Sequence, residues 1–140
     1  MQPRDYLNEP GLFAEPSMSV KPELREENSH HRHDAVAAEL QSAIAYQVKT
    51  RIKLDGRNYK NVATSAGMDY KRLYRLLSGK TWIKLADMVG LSYVLSIDLA
   101  RVLEYTGKEE QYSHYRQFKN ARRWANEPIL QPHQRRDQIR

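Results

Sequence analysis

The chain has 140 residues, 40% hydrophobic and 29% charged, with a formal net charge of +6 and no cysteine. That length suits one core plus tails rather than two ordinary domains, and the missing cysteines exclude a disulfide framework, a thiolate metal site and a cysteine nucleophile. The charge is divided: residues 1–34 hold four Lys/Arg against seven Asp/Glu, residues 35–106 eleven against six, and residues 107–140 eight against four, so the basic body suits a polyanionic partner.

Residues 1–33 contain Pro3, Pro10, Pro16 and Pro22 and no sustained apolar periodicity, which reads as an acidic, Pro-rich, flexible arm. Tyr6, Leu7, Leu12 and Phe13 are its exceptions. They read as stray apolar residues of a tail, with docking onto a partner or onto the body as the alternative.

Asp34 is expected to cap a long helix whose buried stripe runs Leu40, Ile44, Val48 and Ile52, ended by Asp55-Gly56. From Asn58 the segments shorten: residues 59–66, a turn at Gly67, residues 70–77, then Ser78-Gly79. Helices are expected over 83–94 and 98–105. No segment alternates with period two, so the fold class is all-α. Beyond Gly107 a basic helix over 108–124 is expected before Pro128 and Pro132, with a frayed tail over 127–140.

The stretch 58–79 meets the demands of two short helices joined by a tight turn. Ala63 is small where the second helix approaches, Gly67 stands where left-handed backbone is needed, and Val62, Ala66, Met68, Leu73 and Leu76 are apolar at inward positions. Asn58 and Asp69 are short polar residues suited to capping. Over residues 44–99 this resembles the Cro and cI type superfamily of lambda-repressor-like proteins, through Ala63, Gly67 and Met68, then Gly79 and Lys80, then Leu85, Met88, Leu91, Leu95 and Ile97. Two features depart from the family: Ile52 and Leu77 stand where many members carry a buried Arg–Glu pair, a double exchange the fold tolerates, and Tyr70 and Lys71 stand where short polar residues are common. The resemblance implies a DNA-binding domain of four to five short helices over 34–106, with a flexible N-terminal arm over 1–33 and an additional C-terminal helix over 107–126.

With Leu73, Leu76 and Leu77 inward, Asp69, Tyr70, Lys71, Tyr74 and Arg75 are the expected base-reading residues. Lys71 and Arg75 suit guanine O6 and N7, and Asp69 suits cytosine N4. Asn58, Tyr59 and Lys60, at a helix start with free amides, and Arg72, Ser78, Lys80, Thr81 and Lys84 are the expected phosphate contacts. Between Lys49 and Lys84 ten Lys/Arg oppose only Asp55 and Asp69.

Other signals are weaker. His30, His31 and His33 with Glu26 and Glu27 lack the spacing of a built metal site. No nucleophile, base and orienting group recur together, so no enzyme activity, metal or cofactor is expected. The expected C-terminal helix mixes Tyr112, Tyr115, Phe118 and Trp124 with Arg116, Lys119, Arg122 and Arg123, for which packing or a dimer contact leads over an auxiliary nucleic-acid contact.

The sequence thus leads to a sequence-specific double-stranded DNA-binding transcriptional regulator, repressor-like, suited to a phage or mobile element and acting as a homodimer. The alternative is a protein-interaction module, such as an antitoxin or assembly adaptor, whose arm binds a protein partner. No apolar run approaches the roughly 20 residues of a membrane span, and the opening MQPRDYLNEPGLF lacks the order of a signal peptide. A cytoplasmic location is expected, nucleoid-associated when on DNA.

Overall fold

A computed structural model describes residues 1–98; the expected helix over 98–105, the helix over 108–124 and the tail over 127–140 lie outside the described residues. The described residues form five α-helices, α1 (Pro22–Arg25), α2 (Arg32–Leu54), α3 (Tyr59–Ser65), α4 (Tyr70–Ser78) and α5 (Leu85–Leu95), preceded by 3-10 turns at Pro3–Tyr6 and Pro10–Leu12. There is no strand among them, only an isolated antiparallel bridge between Leu7 and Val20.

The spine is α2, which packs against the first 3-10 turn, α1, α4 and α5. Ile44, Val48 and Ile52 are buried as their spacing predicts, but the fourth member of the stripe, Leu40, is only half-buried. The neighbouring Gln41 is buried instead. The helix also starts earlier than expected. His31 holds the N-cap position, and Asp34 lies in the first turn, where its carboxylate accepts a hydrogen bond from the Tyr6 hydroxyl at 3.4 Å.

Residues 1–33 are not the flexible arm that their prolines suggest. Pro3, Pro10 and Pro22 each open a helical turn, at the first positions, where a missing N–H costs nothing. The Asn8 N–H donates to Ser19 O at 2.9 Å and the Lys21 N–H to Tyr6 O at 2.8 Å, closing the intervening chain into a loop. That loop turns its apolar residues inward. Leu7, Phe13, Ala14 and Met18 join Ile44, Val48, Ile52, Val62, Leu73, Leu77, Leu91 and Leu95 in the main core, while Tyr6 and Val20 pack on Ala35 and Ala38 in a second cluster. Alanines at 35 and 38 leave the room that Tyr6 fills. Ala14, at φ 67°, is held by its N–H donating to Ser42 Oγ at 2.8 Å. Of the four apolar residues in question, Tyr6, Leu7 and Phe13 are buried and Leu12 is half-buried, so they dock onto the chain's own body.

Helix α5 begins two residues later than expected. Its Leu91 and Leu95 are buried, but Leu85 is 79% exposed, because the inward face is set by Asp87, Leu91 and Leu95. No helix among the described residues is long and apolar enough to cross a membrane.

Candidate nucleic-acid interface

Helices α3 and α4 start and stop for reasons local to residues 58–80. The Asn58 side chain accepts from the Lys60 N–H at 2.7 Å and the Asn61 N–H at 3.4 Å, and Asp69 accepts from the Arg72 N–H at 2.7 Å. At the end of α3 the Met68 N–H returns to Ala63 O at 2.9 Å and the Gly67 N–H to Thr64 O at 3.1 Å, a Schellman closure. Gly67 supplies the left-handed residue with φ 82°. Helix α4 ends the same way: the Lys80 N–H donates to Arg75 O at 2.9 Å, with Gly79 at φ 75°.

With Val62, Ala63, Leu73, Leu76 and Leu77 buried, α4 leaves its other face outward. Asp69, Tyr70, Lys71, Tyr74 and Arg75 are all exposed there. Lys60 Nζ stands 6.0 Å from the Tyr70 ring centroid and Lys80 Nζ 5.3 Å from that of Tyr74, so each tyrosine lies beside a cation. Ser78 Oγ donates to Tyr74 O at 2.8 Å. Thr81 is half-buried, its carbonyl accepting from Gln41 at 2.9 Å. Lys84 is exposed at the N-cap of α5.

One of the expected phosphate contacts needs correction, and a second expectation is narrowed. Arg72 does not face outward as a free cation. Its Nε donates to Asp87 Oδ1 at 3.0 Å and its Nη2 pairs with Oδ2, clamping α4 to the first turn of α5. Burial pushes the Asp87 carboxyl up, but the Arg72 guanidinium and the Lys84 amide, donating at 2.8 Å, outweigh it, so the carboxyl titrates below its ordinary range. The start of α3 is also partly satisfied already, since Asn58 Oδ1 accepts from the Lys60 and Asn61 amides; the Tyr59 amide is not among those it caps. Arg57 is likewise engaged, donating to Val94 O at 2.8 Å.

Other residues that matter to the site escaped the sequence reading. Gln41 is buried, donates from Nε2 to Leu76 O at 3.1 Å and Thr81 O at 2.9 Å, and accepts the Ile83 N–H at 2.9 Å. One side chain thereby holds the end of α4 and the loop beyond it to α2. A glutamine beside a leucine stripe carries no signal of this. Arg4 and Lys49 were missed as contacts because the chain brings them together only in space. They line a cleft of about 500 Å³ beside α4, with Tyr59, Tyr70, Tyr74, Ser78 and Lys80, over the buried Phe13 and Leu77, and with Pro10, Gly11 and Glu15 along the N-terminal side. No metal-holding group of His, Asp and Glu occurs among the described residues. Neither a family model, nor a curated protein, nor a solved structure matches the chain.

Proposed function

We propose that this chain is a sequence-specific double-stranded DNA-binding protein, a repressor-like helix-turn-helix regulator with the lambda-repressor-like fold that its sequence resembles. The observation that supports this reading is α4 itself. It is capped at both ends, buries Leu73, Leu76 and Leu77 against its partners, and turns Lys71, Arg75, Tyr70 and Tyr74 outward. A short rigid helix with donors on its exposed face is what the major groove admits and reads. Lys60, Lys80 and Lys84 at its margins supply charge for the flanking phosphates.

A homodimer suits this function, since two reading helices on a two-fold site share one operator. Leu85, Val89 and Tyr93, four apart on α5 and 79%, 69% and 88% exposed, offer an apolar surface for it. The alternative is a protein-interaction module whose acidic, Pro-rich N-terminal segment binds another protein; the apolar residues Tyr6, Leu7 and Phe13 of that segment are engaged inside this chain, which leaves its polar surface for such a partner.

The test is competition binding on a site selected from random duplexes, whose symmetry also reports the dimer geometry. Arg75→Ala and Lys71→Ala should each cost about 1–3 kcal/mol on the preferred site and much less on unrelated DNA. Lys60→Ala should weaken both equally. Equal losses for all three variants on every duplex would remove α4 as the reader.

A further inference from the structure

The N-terminal segment reaches the end of α4 by direct contact. The Arg4 N–H donates to Gly79 O at 3.0 Å, and Phe13 lies so close to Gly79 that a Cβ there would stand 2.7 Å from the ring. Trp82 Nε1 donates to Met1 O at 3.1 Å and packs edge-on to Tyr6 at 5.9 Å between centroids. The segment therefore forms a fixed wall facing α4, and the cleft between them collects Arg4, Lys49 and Lys80 from three distant stretches of chain against Glu15 alone. Among the described residues the salt bridges join Arg32 to Glu27 and Arg72 to Asp87, so none of the three cleft cations is in a salt bridge among them.

We infer that this cleft seats one sugar-phosphate strand of the duplex, with Arg4 and Lys49 joining Lys80 as phosphate contacts. The inference rests on α4 being the helix that enters the major groove. A helix in that groove has a backbone strand along each flank, because the groove is only about 12 Å wide. Tyr70, Tyr74 and Ser78, spaced by four, form one flank of α4, and all three line the cleft. Lys71 and Arg75 lie one position further round, on the strip left for the bases. The charge balance favours an anion. The lysines beside Tyr70 and Tyr74 cover one face of each ring, leaving the hydroxyls as natural donors to phosphate and favouring a backbone over a stacked, unpaired base. The segment that composition marks as acidic thus supplies a basic contact through Arg4, while its Glu15 weakens the seat.

Salt titration of the full chain on its selected duplex tests this. Arg4→Ala and Lys49→Ala should each lower the log-log salt slope by nearly one unit and weaken preferred and unrelated duplexes alike, by about three- to tenfold at low salt. Glu15→Gln, a change at an exposed residue, should tighten both and leave the melting temperature unaltered. A duplex with neutral methylphosphonate linkages along one flanking strand should abolish the effects of all three variants. If the wild type binds duplex and Arg75→Ala loses specificity, yet the Arg4, Lys49 and Glu15 variants keep wild-type slopes and affinities, the cleft inference fails while the reading of α4 stands. If the wild type binds no duplex at low salt, both fall. If a ten-nucleotide single strand binds more tightly than the duplex and Tyr59→Ala removes that preference, the cleft takes unpaired bases and the inference is overturned.

Discussion

The α3–α4 pair and the N-terminal segment are ordered by opposite means. In α3 and α4, caps, closures and turn lie within two to five residues of their partners: Asn58 to Lys60, Asp69 to Arg72, Met68 to Ala63. In residues 1–21 the decisive contacts span 28 to 81 residues: Tyr6 to Asp34, Ala14 to Ser42, Trp82 to Met1. A motif built from near neighbours can be carried by almost any supporting body. A segment built from distant ones exists only with that body, and here it completes the core beneath the motif.

Deleting residues 1–21 is the harshest way to break that comparison. Tyr6, Leu7, Phe13, Met18 and Val20 are buried in them, and each such side chain contributes about 1.5–3 kcal/mol. The sum is on the order of 10 kcal/mol, comparable with the whole stability of an ordinary domain, about 5–15 kcal/mol. A chain beginning at Pro22 should lose its cooperative thermal transition by circular dichroism. An unchanged melting temperature would restore the flexible arm that the prolines suggest.

Two glycines sharpen the contrast. Gly67 and Gly79 both hold left-handed backbone, at φ 82° and 75°, but a Cβ at Gly67 meets nothing within 4 Å while one at Gly79 would stand 2.7 Å from Phe13 and 2.9 Å from Arg4 Cβ. Gly67→Ala should therefore cost only the backbone term, about 1–2 kcal/mol. Gly79→Ala adds the displacement of a buried ring, another ~1–3 kcal/mol. Denaturant melts of the two variants should differ, and Phe13→Leu should narrow the gap. Equal losses would mean that the segment does not press on α4.

This division explains what could be read from the chain alone. The Asn58 and Asp69 caps, the Gly67 turn and the spacing of Ile44, Val48 and Ile52 are local patterns, so α3 and α4, the body of α2 and the outward face of α4 were legible, while the start of α2 was misplaced at Asp34. Three things were not. Prolines announce either a break or a first turn, and only the core that receives Tyr6 and Phe13 decides which. A buried glutamine such as Gln41 is recognised by the backbone groups it satisfies, not by its place in a stripe. And a count of cations does not reveal that Arg72 is paired with Asp87, fifteen residues away, or that Arg4, Lys49 and Lys80 line one cleft.

That Arg72–Asp87 pair gives the gentlest test, because it joins a local motif to the body through one charge. Arg72→Ala leaves the buried Asp87 carboxylate, about 8% exposed, with only the Lys84 amide, and should cost about 2 kcal/mol at neutral pH. Arg72→Ala combined with Asp87→Ala should recover part of that loss, since no buried charge is left unpaired. The pH dependence fixes the sign. The folded Asp87 carboxyl titrates below its ordinary value, so the unfolded chain binds the proton first and the pair's contribution rises with pH. It is complete above the ordinary carboxylate value, about pH 4, and disappears as pH falls through the lower folded value. Wild type and Arg72→Ala should therefore converge in stability on the acid side of pH 4 while remaining separated from pH 5 upward. A gap that persists unchanged into strong acid would assign the effect of Arg72 to the packing of its methylene stem rather than to its charge.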